Sequence, residues 1–447
     1  MRDELTKRDL EHVWHPYTQM KDCEALPPIP VEKAEGVKIY GCDGNFYYDT
    51  ISSWWCNVHG HNHPAIKKAI NGQLDRFEHV LFAGFTHRPA VELAERLTGM
   101  TAEGLNRVFY SDNGSTSVEV AMKMSLQYWH NKGRPDKTRF VSLDMAYHGD
   151  TVGAMSVSGV DLFNKKFKPM FFRSYKTPTP YCYRCPMGRK RPECGVECLR
   201  PLEDILKRDS GMISGVIMEP LLLGAGGMIV YPVEYLKGAA GLAKEYGVHL
   251  ILDEVATGFG RTGKMFACEH AGISPDFMCV SKGITSGYLP LGATLTTDEI
   301  FEAFYDDYDK LKTFYHGHTY TANPLACAAA LASLDVFEKE RSLERVPVIN
   351  AKISGFLDEI SGNPAVGDTR NIGVVGAMEL VRDKKTKEPF GLKKRIGSRI
   401  YKKGLEKNLL LRPLGDIIYF FLPLCISDNE LDDVFSRAFE VITSTDL

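Results

Sequence analysis

No long run of like charge occurs in this 447-residue chain: 54 Lys and Arg face 57 Asp and Glu, a net charge of −3 at pH 7. That balance argues against the basic footprint of a nucleic-acid or anionic-membrane binder. Long hydrophobic runs are missing as well. The longest, IIYFFLPLCI from Ile417 to Ile426, contains a proline and is about half of the ~20 residues a bilayer span needs, so no membrane helix is expected. The opening MRDELTKRDLEHVWHPY mixes both signs and lacks the apolar core of a secretory signal. Repeats and low-complexity tracts are also missing. Eleven cysteines cannot all pair, and seven of them (Cys23, Cys42, Cys56, Cys268, Cys279, Cys327 and Cys425) stand singly in apolar or loop contexts, a usage that reads as reduced and cytoplasmic. The 44% hydrophobic and 25% charged composition is that of an ordinary globular protein, and a small-molecule partner is expected.

Gly, Pro and periodicity divide the chain into three regions. Val37 to Asp49, VKIYGCDGNFYYD, reads as a hairpin, and HPAIKKAINGQLDRF reads as a helix with Pro64 in its first turn. Between about Leu93 and Lys310, apolar runs such as VHLILDE and DFMCVSKG alternate with helix-period stretches, which predicts an α/β fold with a mostly parallel sheet covered by helices. In Ser115 to Gly133, the residues Val118, Ala121, Met122, Ser125, Tyr128 and Trp129 share one helical face and read as core. Beyond about Glu338, the strand candidate NIGVVGAMEL, a helix near Leu392 to Leu405, and LLLRPLGDIIYFFL suggest a small α+β domain. The expected division is an N-terminal arm with part of the small domain (1–90), a large domain (91–337) and a C-terminal small domain (338–447).

GFGRTGK, Gly258 to Lys264, matches G-x-G-x-x-G and nearly matches a P-loop, but Met265 replaces the hydroxyl residue a P-loop needs, and MFACEHAG is a poor helix for a dinucleotide fold. The preceding GVHLILDEV is more informative. It puts Asp253 and Glu254 at the C-terminal end of an apolar strand, where a carboxylate is either a ligand group or a loop-capping acid. From Phe277 to Thr297 the only charge is Lys282, at a second strand end, and a lone ammonium in such surroundings is costly unless employed or turned outward. A strand-end carboxylate and a strand-end amine suit pyridoxal 5′-phosphate: the amine forms a Schiff base with its aldehyde, and the carboxylate pairs with its ring nitrogen. A phosphate site is then required. SDNGSTSVEVAMKM offers Asn113, Gly114 and Ser115 just before a helix, where free N–H groups and a hydroxyl can meet a dianion, although a plain N-cap has the same appearance. In FVSLDMAYHGDT, Tyr147 and His148 follow another strand, and an aromatic there could stack on the pyridine ring.

AYHGDT, DEVATGFGRTGK, SKGITSGYLPLGA and HGHTYTANPLACAAA, in this order, resemble the class III, fold type I aminotransferases over essentially the whole chain. WHPYTQM and SSWWCNVHGHNHP narrow the likeness to the branch that makes 7,8-diaminopelargonic acid in biotin synthesis. The resemblance implies a homodimer with active sites at the subunit interface and a small domain built from both termini. It makes Lys282 the Schiff-base residue, Asp253 the ring-nitrogen partner, Gly114 and Ser115 phosphate binders, and Tyr147 the stacking aromatic. It adds His318 and Thr319 as phosphate contacts from the neighbouring subunit, and Tyr17, Trp54, Gly317 and Arg412 around the substrate. Tyr17 is also taken as catalytic. The implied substrates are 8-amino-7-oxononanoate, whose carboxylate Arg412 can hold in bidentate fashion, and an amino donor. Members of the branch use S-adenosylmethionine or lysine; His15-Pro16-Tyr17 and Trp54-Trp55 side with S-adenosylmethionine.

Cys182, Cys185, Cys194 and Cys198 form C-x2-C-x8-C-x3-C, a spacing short for a zinc ribbon, and no metal is expected there. Two rival readings remain: another class III omega-aminotransferase or aminomutase, and a zinc-dependent interaction protein built on these cysteines.

Overall fold

The computed structural model describes residues 2–446, which fold into two compact units. The larger comprises residues 65–350 and 370–374; the smaller comprises 1–64, 351–369 and 375–447, so both termini contribute to it.

In chain order the strands begin in the smaller unit with β1 (Val31–Glu35), β2 (Lys38–Gly41) and β3 (Phe46–Tyr48), an antiparallel sheet containing the expected hairpin. The larger unit supplies β4 (Arg107–Ser111), β5 (Arg139–Leu143), β6 (Tyr175–Thr177), β7 (Ile213–Met218), the short pair β8 (Leu222–Leu223) and β9 (Ile229–Val230), then β10 (His249–Asp253), β11 (Phe277–Val280) and β12 (Gly292–Thr296). Seven of these make one sheet in the order β4-β12-β11-β10-β7-β5-β6. It is mostly parallel, with β12 running antiparallel to both its neighbours. Strands β7, β10, β11 and β12 are buried along their whole length, which is why β7, β10 and β11 read as mainly apolar runs rather than alternating ones.

Helix Gly114–Asn131 lies on this sheet. Its stripe Val118, Ala121, Met122 and Tyr128 packs with Phe140, Ile217, Ile251 and Phe277, while Trp129 is partly buried against the same cluster. Each such buried aliphatic or aromatic side chain contributes about 1.5–3 kcal/mol. The helix begins with a full capping box: the Asn113 side chain accepts from Thr116 N–H, and the Thr116 hydroxyl accepts from Asn113 N–H.

The smaller unit's second sheet joins β13 (Val366–Ile372), β14 (Val375–Leu380) and β15 (Ile417–Phe421). NIGVVGAMEL is therefore not one strand. Gly373, at φ +55, turns the chain between β13 and β14, and a Cβ there would meet the Arg261 carbonyl oxygen at 2.3 Å. The helix expected from Leu392 starts later: Leu392–Lys394 is a 3-10 turn and the α-helix is Ile396–Glu406. No helix among the described residues is long and apolar enough to cross a membrane.

Candidate active site

The ends of four parallel strands in the larger unit bring the expected cofactor residues into one neighbourhood. Asp253 closes β10 opposite Cys279, and Lys282 follows β11 by two residues. The Asp253 carboxylate is almost fully buried. Its Oδ1 accepts from Val255 N–H at 3.1 Å and its Oδ2 from His148 Nδ1 at 2.7 Å. His148 Nδ1 faces an oxygen that can only accept, so it carries the proton of this bond, while Nε2 is buried without a hydrogen-bond partner. Glu254 has a different task. Its carboxylate accepts from the Thr257 hydroxyl and from the N–H groups of Ala267 (3.0 Å) and Cys268 (2.8 Å), tying down the GFGRTGK loop. Burial pushes its pKa up to about 7. Of the two neighbouring acids, Glu254 is thus the loop cap.

Lys282 is half-buried and holds φ at +46, a left-handed backbone that an L-residue adopts only where its surroundings impose it. Glu219, just past the end of β7, responds to both groups. Burial, and after it the Asp253 charge, raise its carboxyl to about 8 against the opposing pull of the N–H groups of Tyr147 and Gly224 and the Lys282 ammonium. Glu219 Oε1 accepts from Tyr147 N–H and Oε2 from Gly224 N–H, both at 2.9 Å, so this acid fixes the backbone beneath the Tyr147 ring. The Tyr147 ring meets Phe163 edge-on at 6.1 Å.

Gly114 opens the long helix at the same strand ends: a Cβ on it would lie 2.6 Å from Val255 Cγ1. Ser115 Oγ accepts from Thr151 N–H at 3.1 Å and lies 2.7 Å from the Thr151 hydroxyl, which donates to Glu119. Gly149 is required by this contact. At φ +122 its backbone passes so close that a Cβ would stand 2.3 Å from Ser115 Oγ. His318 Nδ1 lies 3.4 Å from Asp112 Oδ2 of the same chain, while Gly317 and Thr319 are exposed in an irregular loop.

In the smaller unit, a second set assembles from distant sequence. Tyr17 and Trp54 meet edge-on at 5.9 Å, the Arg412 guanidinium lies 4.7 Å from the Trp54 ring centre, and Arg412 donates to the Tyr17 carbonyl oxygen at 3.4 Å. Both aromatics stay largely exposed, at 47% and 43%. Trp55 is spoken for otherwise: it is buried, stacked on Phe421 at 5.6 Å, with its N–H donated to the Tyr419 hydroxyl.

None of the eleven cysteines forms a disulfide. Cys198 feels the other three thiols of its cluster, and burial, then Cys185, raise it to about 11. No group of three or more His, Cys, Asp or Glu among the described residues is arranged to hold a metal ion.

A helix start with a hydroxyl for a phosphate, a buried ionisable carboxylate held by a histidine, and an amine at the next strand end are the donor set pyridoxal 5′-phosphate requires, so the residues fit that group. Residues 20–442 match the family described as aminotransferase class-III. The chain is 48% identical over 437 residues to an adenosylmethionine-8-amino-7-oxononanoate aminotransferase of Geobacter sulfurreducens, covering 96% of each, and 48% identical over 431 residues to one of Aquifex aeolicus, covering 96% and 95%. Among solved structures, the enzyme of that name from Methanocaldococcus jannaschii superposes with a TM-score of 0.95 at 41% identity over 100% of both chains. An (S)-enantioselective omega-transaminase from Thermomicrobium roseum superposes at 0.94 with 33% identity, covering 99% and 98%.

Fold and site together are those of a fold type I, pyridoxal phosphate-dependent transaminase. More particularly, the chain belongs to the class-III aminotransferase family.

Sequence reasoning noticed His148 only as a neighbour of Tyr147 and passed over Glu219. The signal that picked out Asp253, a carboxylate ending an apolar strand, is equally present in ISGVIME.

Proposed function

We propose that this aminotransferase carries an amino group from S-adenosylmethionine to the C7 ketone of 8-amino-7-oxononanoate, in biotin synthesis and in the cytoplasm. The cofactor, when bound, supplies an aldehyde that takes up amines and a ring that accepts electrons from the adjacent carbon. Lys282 Nζ anchors it and moves the proton at the reacting carbon. Asp253 holds a positive charge at the ring nitrogen, with His148 fixing its carboxylate. Gly114 and Ser115, and His318 with Thr319 from a second copy of the chain, bind the phosphate, and Tyr147 stacks on the ring. Arg412 takes the keto acid's carboxylate; Tyr17 and Trp54 wall its aliphatic chain, where each buried methylene is worth ~0.8 kcal/mol. Gly317 leaves room beside the substrate.

The observation that carries the substrate reading is the Tyr17–Trp54–Arg412 group, flat aromatic faces beside a guanidinium. Such faces suit a sulfonium and an adenine ring as well as an alkyl chain. The names of the relatives support the same pair of reactants. A homodimer is supported by the apolar surface of the larger unit: Leu81, Phe85, Tyr305, Tyr308, Leu311 and Tyr315 are exposed, and His79 and Tyr320 join the two segments at 5.3 Å. Eleven cysteines without a disulfide fit a reducing compartment.

The test is turnover of the keto acid with each donor. S-adenosylmethionine should exceed lysine at least about tenfold in kcat/KM, a gap of ~1.4 kcal/mol. Tyr17→Phe should narrow it. A preference for lysine in the unmodified enzyme overturns the reading.

A further inference from the structure

Helix Gly114–Asn131 carries, away from its core stripe, a second row of side chains that the chemistry above does not use. Lys123, Gln127 and Asn131 stand four residues apart and so lie one above another along the helix. All three hydrogen-bond into residues 303–316. Lys123 Nζ lies 2.8 Å from His316 Nδ1, Gln127 donates to the carbonyl oxygens of Lys312 and Thr313, both at 3.1 Å, and Asn131 donates to that of Ala303 at 3.2 Å. An ammonium can only donate, so His316 Nδ1 is the acceptor. Burial, then the Lys123 charge, lowers the His316 pKa, which keeps the ring neutral for that bond.

The stretch held in this way, residues 311–318, has no regular secondary structure, so no helix or strand ladder sets its path. Side chains do. Phe314 meets Phe109 edge-on at 5.5 Å and Phe304 at 6.0 Å, His316 stacks on Phe314 at 5.6 Å, and His318 meets His316 edge-on at 5.2 Å. The Thr321 hydroxyl closes the tip, accepting from His318 N–H at 3.0 Å and donating to the His318 carbonyl oxygen at 2.9 Å. Thr319 is exposed at that turn. Because each ring in the row rests on the one before it, the place of His316 is passed on to His318 and Thr319.

We infer that Lys123, with Gln127 beside it, is a positioning residue for the phosphate site of the other subunit: it sets the loop whose His318 and Thr319 reach across. The inference rests on the reading of His318 and Thr319 as phosphate contacts made in a second copy of the chain. One helix then serves two sites. Gly114 and Ser115 at its start face the phosphate of their own subunit, and Lys123, about 12 Å further along the axis, governs the loop that completes the other.

The experiment is cofactor titration of full-length heterodimers stripped of cofactor and isolated by a different affinity tag on each subunit, so that all protein assayed is dimeric. One subunit carries Lys282→Ala, and the absorbance of cofactor joined to a lysine then reports the other, intact site. Lys123→Met on the Lys282→Ala subunit alters the loop that serves the intact site and should raise its cofactor Kd about threefold; adding Gln127→Leu should bring the rise to about tenfold. The same substitutions on the intact subunit should leave that Kd unchanged. Lys123→Arg, which keeps a donor, should recover the parent value. Thr319→Ala on the Lys282→Ala subunit tests the contact across the interface and should raise the Kd about tenfold. If it does so while the Lys123 and Gln127 substitutions are silent, or act equally from either subunit, the positioning role is overturned and the contact across the interface stands. If Thr319→Ala is silent as well, that contact falls and this inference with it.

Discussion

Replacing His148 with leucine tests whether Asp253 works alone or as half of a pair. The His148 side chain is fully buried and its Nδ1–H is one of two donors to the Asp253 carboxylate, at 2.7 Å; the other is the longer bond from Val255 N–H. A hydrogen bond to an ionised group contributes about 1.5–3 kcal/mol, and each ~1.4 kcal/mol is tenfold in a rate, so loss of the bond should slow proton movement at the reacting carbon by roughly 10- to 100-fold. Folding stability should fall by about 1–3 kcal/mol, since a buried carboxylate oxygen loses its partner. Cofactor affinity should change less, because the phosphate residues are untouched. The assay is stopped-flow absorbance of the first half-reaction at saturating donor, with cofactor titration and urea unfolding alongside. His148→Asn, whose amide nitrogen can take the place of Nδ1, should recover most of the lost rate. A leucine variant within about threefold of the parent, or an asparagine variant no better than leucine, would refute the pairing as the source of Asp253's effect.

Lys282→Ala should lower turnover to below about a thousandth, the scale of a lost general base, while circular dichroism stays unchanged; higher residual activity would deny the amine its role. Gly149→Ala places a methyl 2.3 Å from Ser115 Oγ on a backbone at φ +122, a strain of about 1–3 kcal/mol, so cofactor affinity should drop about tenfold or more; an unaltered cofactor Kd counts against the contact. Glu219 has its pKa raised from 4.5 to about 8 in the folded protein, so the folded state keeps a proton that the unfolded state releases between those values. Its contribution is present below about pH 4.5 and is lost as pH rises towards about 8. Glu219→Gln should therefore flatten the decline of the urea midpoint over that window, and parallel parent and variant curves would contradict the assignment.

Legibility in the sequence followed the range of the interaction. Asp253 and Lys282 stand out because each is a charge at the end of an apolar strand, a local signal that survives without the fold. The start of helix Gly114–Asn131 is legible for the same reason, since Asn113 and Thr116 are three residues apart. The stripe from Val118 to Trp129 likewise reads as core from spacing alone. By contrast, His148 meets Asp253 across 105 positions and Tyr17 meets Arg412 across 395, and nothing in either segment announces its partner. The break at Gly373 was hidden because valines and isoleucine on both sides satisfy strand and turn alike, and only the approach of the Arg261 carbonyl demands the glycine. The delayed helix after Leu392 reflects Arg395, whose left-handed backbone at φ +48 resets the chain before Ile396.

The placement of β12 between β4 and β11 bears on how the enzyme is made. Strand β4 leads directly into the helix Gly114–Asn131, yet among the described residues its only neighbour in the sheet is β12, with Ser111 paired to Gly292. Gly292 also packs so tightly on that helix start that a Cβ would lie 2.3 Å from the Asn113 carbonyl oxygen. A chain leaving the ribosome thus exposes β4 and its helix long before the strand that seats them has been synthesised. Such late, non-local pairing slows folding, because the loop must close before the contacts repay it. The helix start that we propose as the phosphate site is therefore seated only after Lys282 has been synthesised, so the two ends of the proposed cofactor site are completed late and together.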